Sequence, residues 1–173
     1  GSEKPAFPTI VAFGDHGALP HHQPTTRLLE NNMPILIDFG ATVAGYRSDM
    51  TRSWWFGDKP SAEFEKVSAV VRTSYQKALT TSQQLNVTVA DVDTAARQHI
   101  SQAGYGVNFI HTTGHGVGLE IHEPPSVYHT QSQPLQAGMV ITIEPGIYLP
   151  NKFGFRYENT VLIGDTNSSE LTI

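Results

Sequence analysis

The feature that most constrains this chain is a loose internal repeat. Ile35-Leu-Ile-Asp38-Phe-Gly40 is echoed by Ile141-Thr-Ile-Glu144-Pro-Gly146. Each is an apolar run that ends in an acid and, two residues on, a glycine. Further along, Gly45-Tyr-Arg-Ser-Asp49-Met-Thr51 is echoed by Gly154-Phe-Arg-Tyr-Glu158-Asn-Thr160. Both read glycine, aromatic, arginine, any residue, acid, any residue, threonine. Short apolar runs broken by glycine suit strands and turns. The repeat therefore predicts two β-hairpins that each present two acids, eleven residues apart in the first (38 to 49) and fourteen in the second (144 to 158).

The remaining segments read as supports for those hairpins. Thr9 to Gly14 predicts a strand, and Asp15 to Thr26 a loop punctuated by Gly17, Pro20 and Pro24. Ile35 to Phe56 predicts a hairpin or meander that turns near Gly40 to Gly45. Ser61 is placed to cap a helix with Phe64, Val67, Val71, Tyr75, Ala78 and Leu79 on one face. Asn86 and Thr88 open a second helix, with Asp91 completing a shortened capping box. Its apolar face is Val89, Val92, Ala96, Ile100 and Ala103, and Gly104 ends it. Both helices are expected to cover a sheet. From Phe109 onward, strands and glycine-rich turns return. Trp54-Trp55 is assigned to strand packing. No low-complexity linker divides the chain.

Composition narrows the function classes. A chain of 173 residues with 39% hydrophobic and 16% charged residues supports one folded domain with a real core. No apolar run reaches the length of a membrane span. The formal charge of −5 and the lack of any Lys/Arg cluster argue against nucleic acid as a partner. The absence of cysteine excludes thiol nucleophiles, disulfides and cysteine zinc sites. It fits a cytoplasmic enzyme.

An acid at the end of an apolar strand is costly unless it is paired or bound to a cation. Taken singly, Asp38 or Glu144 could face solvent or pair with Arg47 or Arg156. Four acids in duplicated hairpins suggest convergence on one spot, where mutual repulsion would raise their pKa values and divalent cations would relieve it. A neutral ligand is at hand in His111-Thr-Thr-Gly-His115-Gly-Val-Gly-Leu-Glu-Ile-His122-Glu-Pro-Pro125, where glycines let the backbone come close to a site. His21 and His22 are a weaker signal. Oxygen-rich ligands with one imidazole and no sulfur suit Mn, Fe, Co or Zn better than Cu(I). Two such ions about 3.5–4 Å apart can share a bridging hydroxide that is nucleophilic near neutral pH.

Six segments resemble the pita-bread metallopeptidases: Xaa-Pro dipeptidase (prolidase), aminopeptidase P and, more distantly, methionine aminopeptidase. They are Ala18-Leu-Pro-His-His22, Leu36-Ile-Asp-Phe-Gly-Ala41, Ser48-Asp-Met-Thr-Arg52, Thr113 to Pro124, Ile143-Glu-Pro-Gly-Ile-Tyr148 and Phe155-Arg-Tyr-Glu-Asn-Thr-Val161. They occur in family order along nearly the whole chain. The resemblance implies an α+β pita-bread fold with internally duplicated hairpin halves covered by helices. It implies five metal ligands: Asp38, Asp49, His115, Glu144 and Glu158. Asp49 and Glu158 would bridge two divalent ions, with Asp38 on one and His115 and Glu144 on the other. Mn²⁺ is favoured, and Co²⁺, Zn²⁺ and Fe²⁺ are further candidates. A metal-bridging hydroxide would attack the scissile carbonyl, with Glu144 as general base and then acid. His122 would stabilise the tetrahedral intermediate. His21 matches the family's substrate-side histidine, and His22 its more variable neighbour. His111 and Arg156 match positions near the substrate's proline, and Arg156 could also hold a carboxylate.

The wording of the Gly116-Val-Gly-Leu-Glu-Ile-His-Glu-Pro-Pro125 and Gly154-Phe-Arg-Tyr-Glu-Asn-Thr160 runs resembles the Xaa-Pro branch. The expected substrate is a dipeptide or peptide N-terminus with proline second. Proline lacks an amide hydrogen, so such a bond needs a dedicated pocket. In this family, further helices precede the first strand, and Xaa-Pro members carry a separate N-terminal domain. Residues 1–173 are thus expected to form a partial catalytic domain of a protein that is a homodimer at full length. Gly1-Ser2 reads either as a tag remnant or as native sequence. Methionine aminopeptidase, a non-enzymatic pita-bread binding domain and a metal-free creatinase-like enzyme are the alternatives; the filled ligand positions disfavour the last two.

Overall fold

The computed structural model of the chain describes residues 1–165 and 167–172. The strands are β1 Lys4–Pro5, β2 Ile10–Phe13, β3 Met33–Phe39, β4 Ala41–Val43, β5 Tyr46–Arg47, β6 Met50–Phe56, β7 Gly114–Gly116, β8 Glu123–Val127, β9 Val140–Ile143, β10 Gly146–Leu149, β11 Phe153–Arg156, β12 Asn159–Leu162 and β13 Ser169–Glu170. Helices α1, Ala62–Ser82, and α2, Val89–Gln102, lie between β6 and β7.

The repeat is visible as two long antiparallel hairpins. β3 pairs with β6 from Met33↔Phe56 to Phe39↔Met50. β9 pairs with β12 from Val140↔Leu162 to Ile143↔Asn159. Each carries a small hairpin at its tip, β4–β5 in the first and β10–β11 in the second. The tips are exchanged between halves. β11 leans on the first hairpin, where the Ser53 hydroxyl donates to Arg156 O at 3.0 Å. The Arg47 amide in β5 donates to Gly118 O, just past β7, at 2.8 Å. β2 extends the first hairpin into a sheet β2-β3-β6, and β13, β7 and β8 extend the second into β13-β12-β9-β7-β8.

Strand alternation decides which residues meet between the halves. Leu36, Asp38, Thr51 and Ser53 share the inner face of the first sheet, as their register requires. Thr142 and Glu144 take the matching positions in the second. Ile141 and Ile143 point the other way and join the main core with Val67, Val71, Tyr75 and Ile100 of the two helices. Ile35, Ile37 and Trp54 hold the equivalent outer face of the first sheet. Phe39, Trp54 and Phe56 there are 39%, 40% and 43% exposed.

The helices begin where the sequence places them. The Ser61 hydroxyl accepts the Phe64 amide at 3.2 Å. Thr88 and Asp91 form a reciprocal capping box, the side chain of each accepting the other's amide. Three details depart from expectation. Gly14–Ala18 winds into a 3₁₀ turn inside the expected loop. Ala103 is only half-buried, because it is the C-cap of α2 rather than part of its apolar face. Of the tryptophan pair, only Trp55 packs on the core, since adjacent strand residues face opposite ways.

Candidate metal centre

The acids reach the seam between the two sheets from strand ends and from the tip hairpins. Asp38 is on β3, and Asp49 sits between β5 and β6. Glu144 follows β9, and Glu158 separates β11 from β12. His115 arrives on β7, whose backbone lies close to β9. A Cβ on Gly114 would fall 1.9 Å from Thr142 O, so only glycine permits this approach. The His115 amide donates to Thr142 Oγ1 at 3.0 Å, which fixes the strand one residue further on.

The ring of His115 is oriented by its own chain. Nδ1 lies 2.9 Å from Gly116 O, a contact that requires Nδ1–H. Nε2 is thereby aimed at Glu144 Oε1 at 3.2 Å and Asp49 Oδ2 at 3.6 Å. Ligand atoms of Asp49, His115 and Glu158 all lie within 4.8 Å of one another. Asp38 stands at the edge of this group, where its Oδ2 accepts Arg156 Nη2 at 2.6 Å. Glu158 Oε2 accepts the Thr51 hydroxyl.

Among the described residues, three carboxylate oxygens are buried with no hydrogen-bond donor: Asp38 Oδ1, Asp49 Oδ1 and Glu158 Oε1. A buried carboxylate oxygen without a donor costs several kcal/mol of lost hydration, on the order of 1–3 even for a neutral group. Three such atoms on three converging acids make a ligand set that fits a cation. The electrostatics agree. Burial pushes the Asp49 carboxyl up to about 8, with the charges of Asp38 and Glu144 adding to it. Burial likewise lifts Glu158 well above the carboxylate range, reinforced by Glu144, Asp49 and Asp38. Glu144 behaves differently. Burial would raise it, but the bond from His115 prevails and holds it at about 2. Burial would also lower His115, and the same contact raises it to about 9. The contact between His115 and Glu144 thus favours the charged form of each, while burial and mutual repulsion favour the neutral forms of Asp49 and Glu158.

All nine predicted site residues line one cavity of about 780 Å³. His122 stands edge-on to His115 with ring centroids 4.4 Å apart. His21 is exposed at the cavity wall, whereas His22 turns away and packs on His16 at 4.5 Å. His111 bonds the Tyr148 hydroxyl through Nε2 at 2.9 Å. Arg156 is 3% exposed, and most of its donors are committed within the protein. It donates to Asp38, to Thr51 Oγ1 at 2.9 Å, to the Tyr148 hydroxyl at 2.7 Å and to Pro20 O at 3.4 Å. The carboxylate it holds here is Asp38.

Sequence reading missed the residues that brace the acids. Thr51 and Thr160 were inside the repeat, but a strand threonine carries no signal of its partner. Tyr148 lay within a segment that resembles the family, but its sequence position carries no signal of its bonds to His111 and Arg156. Asp93 and Arg97, four apart on α2, carry no sequence signal beyond the i,i+4 spacing that is common on helix surfaces.

Known proteins resemble this chain along nearly its whole length. Residues 1–165 match the model of metallopeptidase family M24. The chain is 42% identical over 172 residues to a Xaa-Pro dipeptidase of Pyrococcus furiosus, covering 99% of this chain and 49% of that protein. Among solved structures, the prolidase of Pyrococcus horikoshii superposes with a TM-score of 0.96 at 42% identity, covering 100% of this chain and 49% of that one. An X-Pro aminopeptidase of Thermotoga maritima gives 0.95 at 41% identity, again covering 100% and 49%. The chain thus spans about half the length of the relatives it matches, and the shared architecture is the α+β pita-bread fold. By its sequence, its duplicated hairpins and its family match, this chain belongs to metallopeptidase family M24.

Proposed function

We propose that the chain carries the dinuclear metal site of an enzyme that hydrolyses Xaa-Pro bonds in dipeptides or at peptide N-termini. The observation that carries this reading is the trio of donorless buried oxygens on Asp38, Asp49 and Glu158. The likeness to proteins named Xaa-Pro dipeptidase, prolidase and X-Pro aminopeptidase supports the choice of bond. Asp38, Asp49, His115, Glu144 and Glu158 would hold two divalent ions, with Mn²⁺ favoured for this oxygen-rich set. Bound there, the ions supply Lewis-acid activation of water and of the scissile carbonyl.

The remaining steps fall to side chains. Glu144 accepts the proton of the attacking water and passes it to the departing proline nitrogen. His122 donates to the carbonyl oxygen as charge builds on it. His21 and His111 flank the substrate, and Arg156 fixes Asp38 while facing the proline side of the cavity. The chain acts as one part of a longer, homodimeric, cytoplasmic protein. The open apolar face of Phe39, Trp54 and Phe56 and the half-length match support that part-of-a-whole reading. Among the described residues no helix is long and apolar enough to cross a membrane.

The test uses the full-length protein. Metal analysis after chelation and Mn²⁺ return should find about two ions per chain, and Ala-Pro should be cleaved in preference to Met-Ala-Ser. A preference for Met-Ala-Ser would move the assignment to methionine aminopeptidase. A folded protein that takes up no metal would remove the mechanism.

A further inference from the structure

Behind the metal centre, α2 carries a carboxylate that none of the site's chemistry uses. Asp93 is 0% exposed. Its Oδ1 accepts Arg97 Nη2 at 2.9 Å, the Thr113 amide at 3.2 Å and the Thr113 hydroxyl at 2.7 Å. Its Oδ2 accepts Arg97 Nε at 2.9 Å, the His129 amide at 3.2 Å and His129 Nδ1 at 3.1 Å. Arg97 in turn donates to Phe109 O at 3.1 Å and His111 O at 2.8 Å. One helix turn thus holds two loops, one entering β7 and one leaving β8.

The bonds continue toward the reacting groups. Thr113 O accepts the Glu144 amide at 2.7 Å. Two residues beyond Thr113 stands His115, whose amide is tied to the same Thr142 hydroxyl that donates to Glu144 Oε1 at 3.0 Å. A buried acid with six donors is a rigid anchor, because each donor fixes another direction and no water competes. We infer that Asp93 is a positioning residue. Through Thr113 it sets the placement of Glu144 and His115 relative to each other.

This inference rests on the metal-site reading above for its functional meaning, so its test includes a readout that needs no metal. Asp93→Asn keeps the shape and removes the charge; Thr113→Val removes only the hydroxyl bond, and Thr113→Ser keeps it. Asp91→Asn, which weakens the exposed capping box of the same helix, serves as the stability control. The imidazole resonances of metal-free His115 should shift in Asp93→Asn and Thr113→Val and stay in place in Thr113→Ser and Asp91→Asn. By calorimetry, Mn²⁺ affinity should fall at least tenfold in the first two and stay within twofold in the others. Should Asp93→Asn not fold, Thr113→Val decides alone. Variants that lose thermal stability but keep wild-type His115 resonances and Mn²⁺ affinity would show Asp93 to be structural only, and overturn the inference. A full-length wild-type protein that takes up no Mn²⁺ would sink the metal-site reading, and the His115 resonances would then decide the role of Asp93.

Discussion

Thr51 and Thr160 occupy the same place in the two hairpins, and each bonds the acid of the other. Thr51 gives its hydroxyl to Glu158 Oε2, and its carbonyl accepts the Glu158 amide at 3.2 Å. Thr160 Oγ1 accepts the Asp49 amide at 3.1 Å and donates to Asp49 O at 2.8 Å. The halves are therefore stitched at the acids themselves, which ties the geometry of the centre to the packing of the whole fold.

Replacing Thr51 with Val should expose the weight of that stitch. The change leaves Glu158 Oε2 without its donor and Arg156 Nε without its acceptor, both buried. Each orphaned group costs about 1–3 kcal/mol. Thr51→Val should lower unfolding free energy by at least about 2 kcal/mol, measured by denaturant titration of the metal-free chain. Thr51→Ser should recover most of it. Equal stability of the Val and Ser variants would show that the hydroxyl contributes nothing.

The metal-free chain should lose stability as pH rises from about 5 to 9. Asp49 titrates near 3.8 when unfolded and about 8 when folded, so the folded state keeps a proton that the unfolded state surrenders. His115 adds to the trend. Its value rises from 6.5 to about 9, and the stability this gives is present below 6.5 and lost as pH passes 9. Glu144 runs the other way, lowered from 4.5 to about 2, but its contribution is lost only below 4.5. Saturating Mn²⁺ should reverse the slope, because ligands bind metal deprotonated. Denaturant titrations at pH 5 and 8.5, in chelator and in Mn²⁺, check this. A metal-free chain more stable at pH 8.5 than at pH 5 contradicts it.

Much of the architecture was legible because the repeat encodes it. Apolar runs ending in an acid and a glycine specified the two hairpins, and the capping residues Ser61 and Thr88 marked the helix starts. In the structure, side-chain period two puts Asp38 and Thr51 on one face and Ile37 on the other. The exchange of the tip hairpins was not legible, since it depends on contacts between Ser53 and Arg156 that lie 103 residues apart. Nor was the task of Arg156. A sequence shows a guanidinium near an acid, but not that its donors are shared among Asp38, Thr51, Tyr148 and Pro20. Asp93 was hidden for the opposite reason: its pairing with Arg97 is so local that it looks like surface decoration.

Gly114 should tolerate no side chain. A Cβ there meets Thr142 O at 1.9 Å, and backbone cannot step aside as a flexible side chain can. Gly114→Ala should separate β7 from β9 and destabilise the chain by more than about 4 kcal/mol, visible as loss of soluble protein or of cooperative melting. Gly104→Ala makes the comparison, since a Cβ at that position meets nothing within 4 Å and the cost is only the strain of φ +89°. That strain is worth about 1–2 kcal/mol. A Gly114→Ala chain that melts no earlier than Gly104→Ala would show that the strands separate easily.

Glu144→Gln tests the acid and the pairing at once. The amide preserves size and can still accept from Thr142, but it carries no charge and cannot take up a proton. In the metal-free chain His115 loses the partner that raises it, so its titration should fall well below about 9, as followed by its imidazole resonances. In the full-length protein, loss of a general base and acid should cut turnover of Ala-Pro by about 10²–10⁴. Metal content is measured alongside, because Glu144 is also a proposed ligand. A variant that retains both metal and turnover would remove Glu144 from the proton path. A variant that loses turnover while keeping its metal would separate the proton role from the ligand role, and leave His122→Ala to probe the oxygen that the departing proline leaves behind.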